Sequence, residues 1–183
     1  MKRIPGFVTS EECKILAEWA MADTNFADGI TTGGRTKLRV SNRADFDSGN
    51  RLFPITYPDT VYIIQQRIRE TLGLGGCPII EGHGKGGVVV SKTFDGGDVY
   101  AHTDPSVGDG LLGLRCNVLV SKQETGGILT VDGIDYDPSV GELHCYPVTH
   151  QRHSVSVCHG PTPRILFMFG FVLTPEQYLE FCQ

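Results

Sequence analysis

Apolar positions change their period twice along this chain. Leu16, Ala17, Ala20 and Met21 recur at helical spacing, and the Thr9-Ser10-Glu11-Glu12 stretch ahead of them has the T-x-x-E form of a capping box, so the pattern predicts a helix over about 10–22. Between 23 and 57 the periodicity dissolves into Gly, Thr, Asp and Asn, and Lys37-Leu38-Arg39-Val40-Ser41 is the one plausible strand. A second stripe, Val61, Ile64, Ile68 and Leu72, starts after Pro58-Asp59 and stops at Gly73, which predicts a second amphipathic helix. Glycines then make 73–87 rich in turns. Neither G-x-x-x-x-G-K-[ST] nor G-x-G-x-x-G follows a strand there, which excludes a phosphate loop, and His83 reads as an exposed loop residue.

From Val88 onward short β-rich runs alternate with turn residues. The runs fall at 88–94, 98–103, 111–121, 127–131, 134–136, 142–146, 154–158 and 164–173, at the spacing of a β-sandwich or barrel. Eight strands after a helical lead-in predict an α+β, mainly β fold: a double-stranded β-helix, the jelly roll of the cupin kind, with N-terminal supporting helices and a mouth between its sheets. Thr174-Pro175-Glu176-Gln177 is another capping box with Pro at the first helical position, so Tyr178, Leu179 and Phe181 pack a short C-terminal helix. No repeat, linker or low-complexity segment divides the chain. It reads as a single domain over 1–183, with a helical lead-in and flap over 1–75 and the jelly-roll core over 88–173; Trp19 is assigned to the core.

Charge and cysteine content narrow the class. A formal net charge of -5 disfavours a protein that coats nucleic acid. Arg35, Lys37, Arg39 and Arg43 nonetheless form a local basic cluster, read either as a solvated loop or as a substrate-facing flap for an anionic group. The first seven residues carry no apolar run of signal-peptide length and no later run is long enough to span a bilayer, so the expected location is cytoplasmic. Cys13, Cys77, Cys116, Cys145, Cys158 and Cys182 include no C-x-x-C pair and read as buried thiols.

The chemistry gathers around Tyr100-Ala101-His102-Thr103-Asp104. His102 and Asp104 are two apart in a strand-like segment and project to the same side. An imidazole and a carboxylate from one strand, joined by a distant second imidazole, form the facial triad that binds ferrous iron and leaves coordination positions open. His153 heads Ser154-Val155-Ser156-Val157, and the alternation of Val155 and Val157 favours it as third ligand over His150 and His144. Arg164 enters the apolar run Ile165-Leu166-Phe167-Met168-Phe169, where an unpaired charge is costly and calls for an anionic partner. Arg115 and Asn117 share one strand face, either lining a pocket or serving a structural hydrogen-bond role, and Tyr100 shares a face with His102.

With these residues in place, the stretch 88–171 resembles the 2-oxoglutarate- and Fe(II)-dependent dioxygenases, in their prolyl-4-hydroxylase-like branch. The motifs that carry the resemblance are Gly97-Asp98-x-Tyr100 leading to His102-Thr103-Asp104, then Gly126-Gly127-Ile128-Leu129, Pro138-x-x-Gly141-Glu142-Leu143, His153 and Arg164. Ile4-Pro5-Gly6-Phe7 also looks like the opening of that branch. The resemblance implies His102, Asp104 and His153 as catalytic iron ligands and Arg164 on the distal carboxylate of 2-oxoglutarate. From strand faces and the basic cluster rather than from the resemblance, Asn117, Lys92 and Tyr100 are read as further co-substrate contacts and Arg115, Arg39 and His150 as substrate contacts, Lys92 being equally open to a structural hydrogen-bond role and His150 to a place at the rim. Lys92-Thr93 stand where the family often has Tyr, and Asn117-Val118-Leu119 where it has a Tyr-Leu-Asn-like sequence. The implied cofactors are Fe(II), 2-oxoglutarate and O2, with ascorbate as a reductant. The implied reaction is hydroxylation of an aliphatic carbon of a prolyl residue, peptide or free amino acid, releasing succinate and CO2. Related halogenases replace the carboxylate by a small residue, so Asp104 points to hydroxylation. Two alternatives stay open: an oxygenase of nucleic-acid bases, and a non-catalytic metal-binding jelly roll. A small-molecule or peptide partner is expected, and the sequence assigns no oligomeric state.

Overall fold

The computed structural model describes residues 1–29, 35–40, 56–80 and 87–183, with the side chains of 38–40 excepted. Arg43, His83 and most of the flap read from the sequence lie outside the described residues, as does the side chain of Arg39. After β1 (Lys2–Ile4), α1 (Ser10–Ala22) starts at the capping box: Thr9 Oγ1 accepts from the Glu12 amide at 3.2 Å, and Glu12 Oε2 accepts from the Thr9 amide at 2.9 Å. β2 (Ala27–Asp28) and β3 (Thr36–Val40) lead to α2 (Asp59–Leu72), which stops where Gly73 turns left-handed at φ 68°. The strands that follow are β4 (Val88–Thr93), β5 (Val99–His102), β6 (Leu112–Ser121), β7 (Thr125–Gly126), β8 (Leu129–Val131), β9 (Ile134–Tyr136), β10 (Leu143–Pro147), β11 (His153–Val155), β12 (Cys158–His159) and β13 (Arg164–Leu173). Thr174 and Gln177 cap α3 (Pro175–Cys182) reciprocally.

Two antiparallel sheets face each other. The larger has the order β1-β10-β6-β13-β4-β3-β2 and the smaller β5-β11-β8-β9, with β12-β7 as a short third pair. This is the jelly roll expected from the strand count. β1 was not visible in the pattern, because Lys2-Arg3-Ile4 is too short to alternate; its pairing with β10 is held by an ion pair between Arg3 and Glu142.

Alternation sorts the large sheet into two faces. Val88 and Val90, Leu114, Cys116, Val118 and Val120, Leu143 and Cys145, and Ile165, Phe167, Phe169, Phe171 and Leu173 join Leu16, Ala20, Val61, Ile64 and Ile68 of the helices in one core. Phe167, Phe169 and Phe171 are fully buried, and truncating one to Ala would cost about 3–5 kcal/mol. Trp19 joins this core, its ring 5.1 Å from Tyr57 and 6.0 Å from Phe167. The intervening residues, among them Arg115, Asn117, His144, Tyr146 and Arg164, point the other way, toward the small sheet. There a second cluster of Leu129, Val131, Val148, Val155 and Cys158 packs with Tyr146.

Lys92 corrects one expectation. It shares its face with Val88 and Val90, and its Nζ donates to the carbonyls of Ala20 at 2.9 Å and Asp23 at 3.1 Å and lies 3.9 Å from the centre of the Phe26 ring. The side chain ties α1 to the sheet on the face away from the jelly-roll interior. All six cysteines are free thiols; five are buried and Cys182 is exposed. Among the described residues no helix is long and apolar enough to cross a membrane.

Candidate metal centre and co-substrate pocket

The ends of two neighbouring strands bring the predicted ligands together. His153 opens β11 directly opposite His102 at the end of β5, and the two imidazole centroids are 4.4 Å apart. Asp104 follows just beyond β5, fixed by its amide donating to the Val148 carbonyl at 2.9 Å. Its Oδ1 lies 3.4 Å from His102 Nε2 and 3.7 Å from His153 Nε2. One ligand atom from each of the three residues falls within 4.8 Å of the others.

Both imidazoles are set in the tautomer a metal needs. His102 Nδ1 is 2.8 Å from the Tyr100 carbonyl and His153 Nδ1 is 3.0 Å from the Gln151 carbonyl. A carbonyl only accepts, so each Nδ1 carries the proton and each Nε2 turns a lone pair toward Asp104. An octahedral ion with bonds of about 2.1 Å spaces neighbouring ligand atoms by about 3 Å. The observed separations close to that value with sub-ångström side-chain movements, so the donor set fits a ferrous ion.

Asp104 is itself held from behind. Arg115 donates to Oδ2 from Nη2 at 2.8 Å and from Nε at 3.2 Å, which leaves Oδ1 as the oxygen nearest the two imidazoles. Of the two readings of Arg115, a pocket contact or a structural hydrogen-bond role, the contacts seen are hydrogen bonds to the Asp104 carboxylate. Burial pushes the Asp104 carboxyl up, but bonding and charge from His102 and Arg115 outweigh it and hold the group well below the usual carboxylate range. His102 is raised, chiefly by bonding to Asp104, whereas burial lowers His153 against the pull of the Gln151 carbonyl.

The loop before His153 has its own clamp. Asp132 Oδ1 accepts from the Arg152 amide and Oδ2 from Gln151 Nε2, both at 2.9 Å, while its own amide donates to the Arg152 carbonyl at 2.8 Å. Asp132 adopts φ 49° and Gly133 φ 80° in the tight turn between β8 and β9, the conformation for which an Asp-Gly pair is the usual hairpin signal.

Inside the roll, several buried polar side chains have unmet hydrogen bonds. Arg164 is 3% exposed and its Nη2 has no hydrogen-bond partner among the described residues. Asn117 is buried with an unpartnered Oδ1, and its side chain bonds the Tyr146 hydroxyl. The Tyr146 ring meets His153 edge-on at 5.3 Å, joining this group to the metal centre. A buried cation without a partner is costly, and a carboxylate is the group that satisfies a guanidinium bidentately. His144 also points here; neither it as a member of this group nor Tyr146 was picked out from the sequence, since a His or Tyr inside an apolar strand reads as core.

The remaining candidates stay outside. Tyr100 is 53% exposed and contributes its backbone carbonyl to His102. His150 is exposed on the turn after β10, its Nδ1 2.8 Å from Thr149 Oγ1, and it is not in the group of His102, Asp104 and His153 whose ligand atoms lie together. Of the basic cluster, Arg35 is exposed and Lys37 is ion-paired with Asp28.

No protein-family model and no curated protein matches the chain. Solved structures do. A viral collagen prolyl hydroxylase from Paramecium bursaria Chlorella virus-1, in its 2-oxoglutarate complex, superposes with a TM-score of 0.64 over 93% of this chain and 94% of that one, at 14% identity. A prolyl-4-hydroxylase from Pseudomonas putida gives 0.63 over 93% and 90%, also at 14% identity. HygX from Streptomyces hygroscopicus, with nickel and 2-oxoglutarate bound, gives 0.59 over 94% and 82%, at 12% identity. The chain therefore has the fold of the 2-oxoglutarate- and Fe(II)-dependent oxygenases, in its prolyl-hydroxylase-like form.

Proposed function

We propose that this protein is an Fe(II)- and 2-oxoglutarate-dependent dioxygenase that hydroxylates an aliphatic carbon of a prolyl residue, a peptide or a free amino acid. The observation that carries the reading is one interior shared by two incomplete sites: the His102, Asp104 and His153 triad, and the buried Arg164 guanidinium that lacks an anion.

His102 and His153 would hold the iron through Nε2 and Asp104 through Oδ1. When bound, iron and 2-oxoglutarate supply the oxidising chemistry, dividing O2 between the hydroxylated product and succinate, with loss of CO2. The protein's residues do the positioning. Arg115 keeps Asp104 single-toothed, the Tyr100 and Gln151 carbonyls keep the imidazoles in their binding tautomer, and Arg164 anchors the distal carboxylate of the co-substrate. Leu129, Val131 and Val155 of the small sheet, with Val148 just after β10, form a neighbouring apolar surface, which limits water near the reacting carbon. The prolyl, peptide or amino-acid substrate class is supported by the likeness of fold to prolyl hydroxylases and by the retained Asp104.

The test is succinate release and O2 uptake with Fe(II), 2-oxoglutarate and a panel of prolyl peptides and amino acids. Uptake that depends on Fe(II), 2-oxoglutarate and one panel member supports the reading. Tight metal binding with no response to 2-oxoglutarate in spectrum or turnover would instead favour a metal-binding jelly roll.

A further inference from the structure

One buried group is left over by this account. His144 stands in the middle of β10 at 0% exposure, and neither Nδ1 nor Nε2 has a hydrogen-bond partner among the described residues. A buried imidazole with both nitrogens unmet loses its bonds to water and regains none, so its presence asks for a ligand. Three observations place that ligand. His144 pairs in register with Asn117, whose Oδ1 is also unmet. Its ring stacks on Tyr146 with centroids 6.4 Å apart and an 11° interplanar angle, and Tyr146 is the residue whose hydroxyl bonds Asn117 and whose edge meets His153. The charge of Arg164 reaches the imidazole: after burial it is the strongest influence on His144, and together they hold its pKa down at about 3. The ring is therefore neutral, with one N–H to give.

We propose that His144 is a co-substrate-binding residue that, with Arg164, receives the distal carboxylate of 2-oxoglutarate, so that the pocket selects 2-oxo diacids over 2-oxo monoacids of equal chain length. This rests on the proposed dioxygenase reading and assigns it a residue beyond the triad and Arg164. A neutral donor beside the guanidinium satisfies the second carboxylate oxygen without adding a second buried charge.

The experiment is anaerobic calorimetry on Mn(II)-loaded protein with two probes, 2-oxoglutarate and 2-oxopentanoate, which has the same chain length but lacks the distal carboxylate. Wild type is compared with His144→Leu and His144→Gln, and the thermal midpoint of each metal-free protein is recorded. The expected result is that His144→Leu binds 2-oxoglutarate about ten- to a hundredfold more weakly, the worth of one hydrogen bond to a charged group. Its affinity for 2-oxopentanoate stays unchanged, and its thermal midpoint does not fall, because an apolar side chain replaces an unsatisfied one. His144→Gln, which keeps an N–H donor, recovers part of the affinity and carries the test if the Leu variant fails to fold. Equal 2-oxoglutarate affinity in all three proteins, or parallel loss of both probes, overturns the assignment of His144. Wild type that binds Mn(II) but neither 2-oxo acid overturns the dioxygenase reading itself.

Discussion

Replacing Arg164 by Leu tests whether the interior of the roll is built around a dianionic co-substrate. The guanidinium is 3% exposed, with burial lowering its pKa and Nη2 left without a partner. In the unliganded protein the substitution removes a buried charge and puts an apolar side chain beside Leu166, so folding stability should be retained or improved. With 2-oxoglutarate bound, the same substitution strands a carboxylate in a dry pocket. Breaking a buried pair costs about 3–5 kcal/mol, which corresponds to a KM for 2-oxoglutarate raised roughly a hundredfold to a few thousandfold. The assay is succinate formation against 2-oxoglutarate concentration, alongside thermal unfolding of the metal-free protein. A KM within threefold of wild type would refute the reasoning. So would a large drop in thermal midpoint, which would show that Arg164 is paired within the protein.

Three further outcomes follow from particular contacts. Arg115→Met frees Asp104 Oδ2 and should weaken Mn(II) binding about tenfold to a hundredfold; a gain in affinity would mean that repulsion between guanidinium and cation outweighs positioning. Asp132→Gly keeps the left-handed turn but deletes both acceptors for the loop before His153, and should cost about 1–2 kcal/mol in urea unfolding, with no cost if the loop is held elsewhere. Glu12 is lowered to about 2, first by its hydrogen bond to Arg67 of α2. A depressed carboxylate contributes stability above its unfolded pKa of 4.5 and loses it as the pH falls toward the folded value. Arg67→Leu should therefore lower stability by about 1 kcal/mol at pH 7, discounted for the partial exposure of the pair, and the difference should vanish near pH 2; a pH-independent difference would assign the effect to packing.

The parts of the site that were legible in the sequence are those fixed by local period. His102 and Asp104 share a side because a strand alternates, and α1 and α3 start where Thr9 and Thr174 provide capping boxes. What was not legible depends on register between distant strands. Arg115 reaches Asp104 through the placement of β6 behind β5, and His144 meets Asn117 through the β10–β6 pairing. Lys92 was misplaced because β4 is buried on both faces, so alternation alone could not say whether it looked toward the helices or into the roll. Tyr146 and His144 lay inside runs of apolar residues, where a polar side chain shows its purpose only when its unmet bonds are seen.

On the proposed reading His102, Asp104 and His153 bind iron and 2-oxoglutarate joins them beside Arg164. Anaerobic visible spectroscopy of the protein with Fe(II) and then 2-oxoglutarate tests it most directly, in wild type, His153→Ala and His150→Ala. A weak charge-transfer band is expected in wild type and His150→Ala and is expected to be lost in His153→Ala. Bound iron with no band in wild type, or a band that survives in His153→Ala, would contradict it.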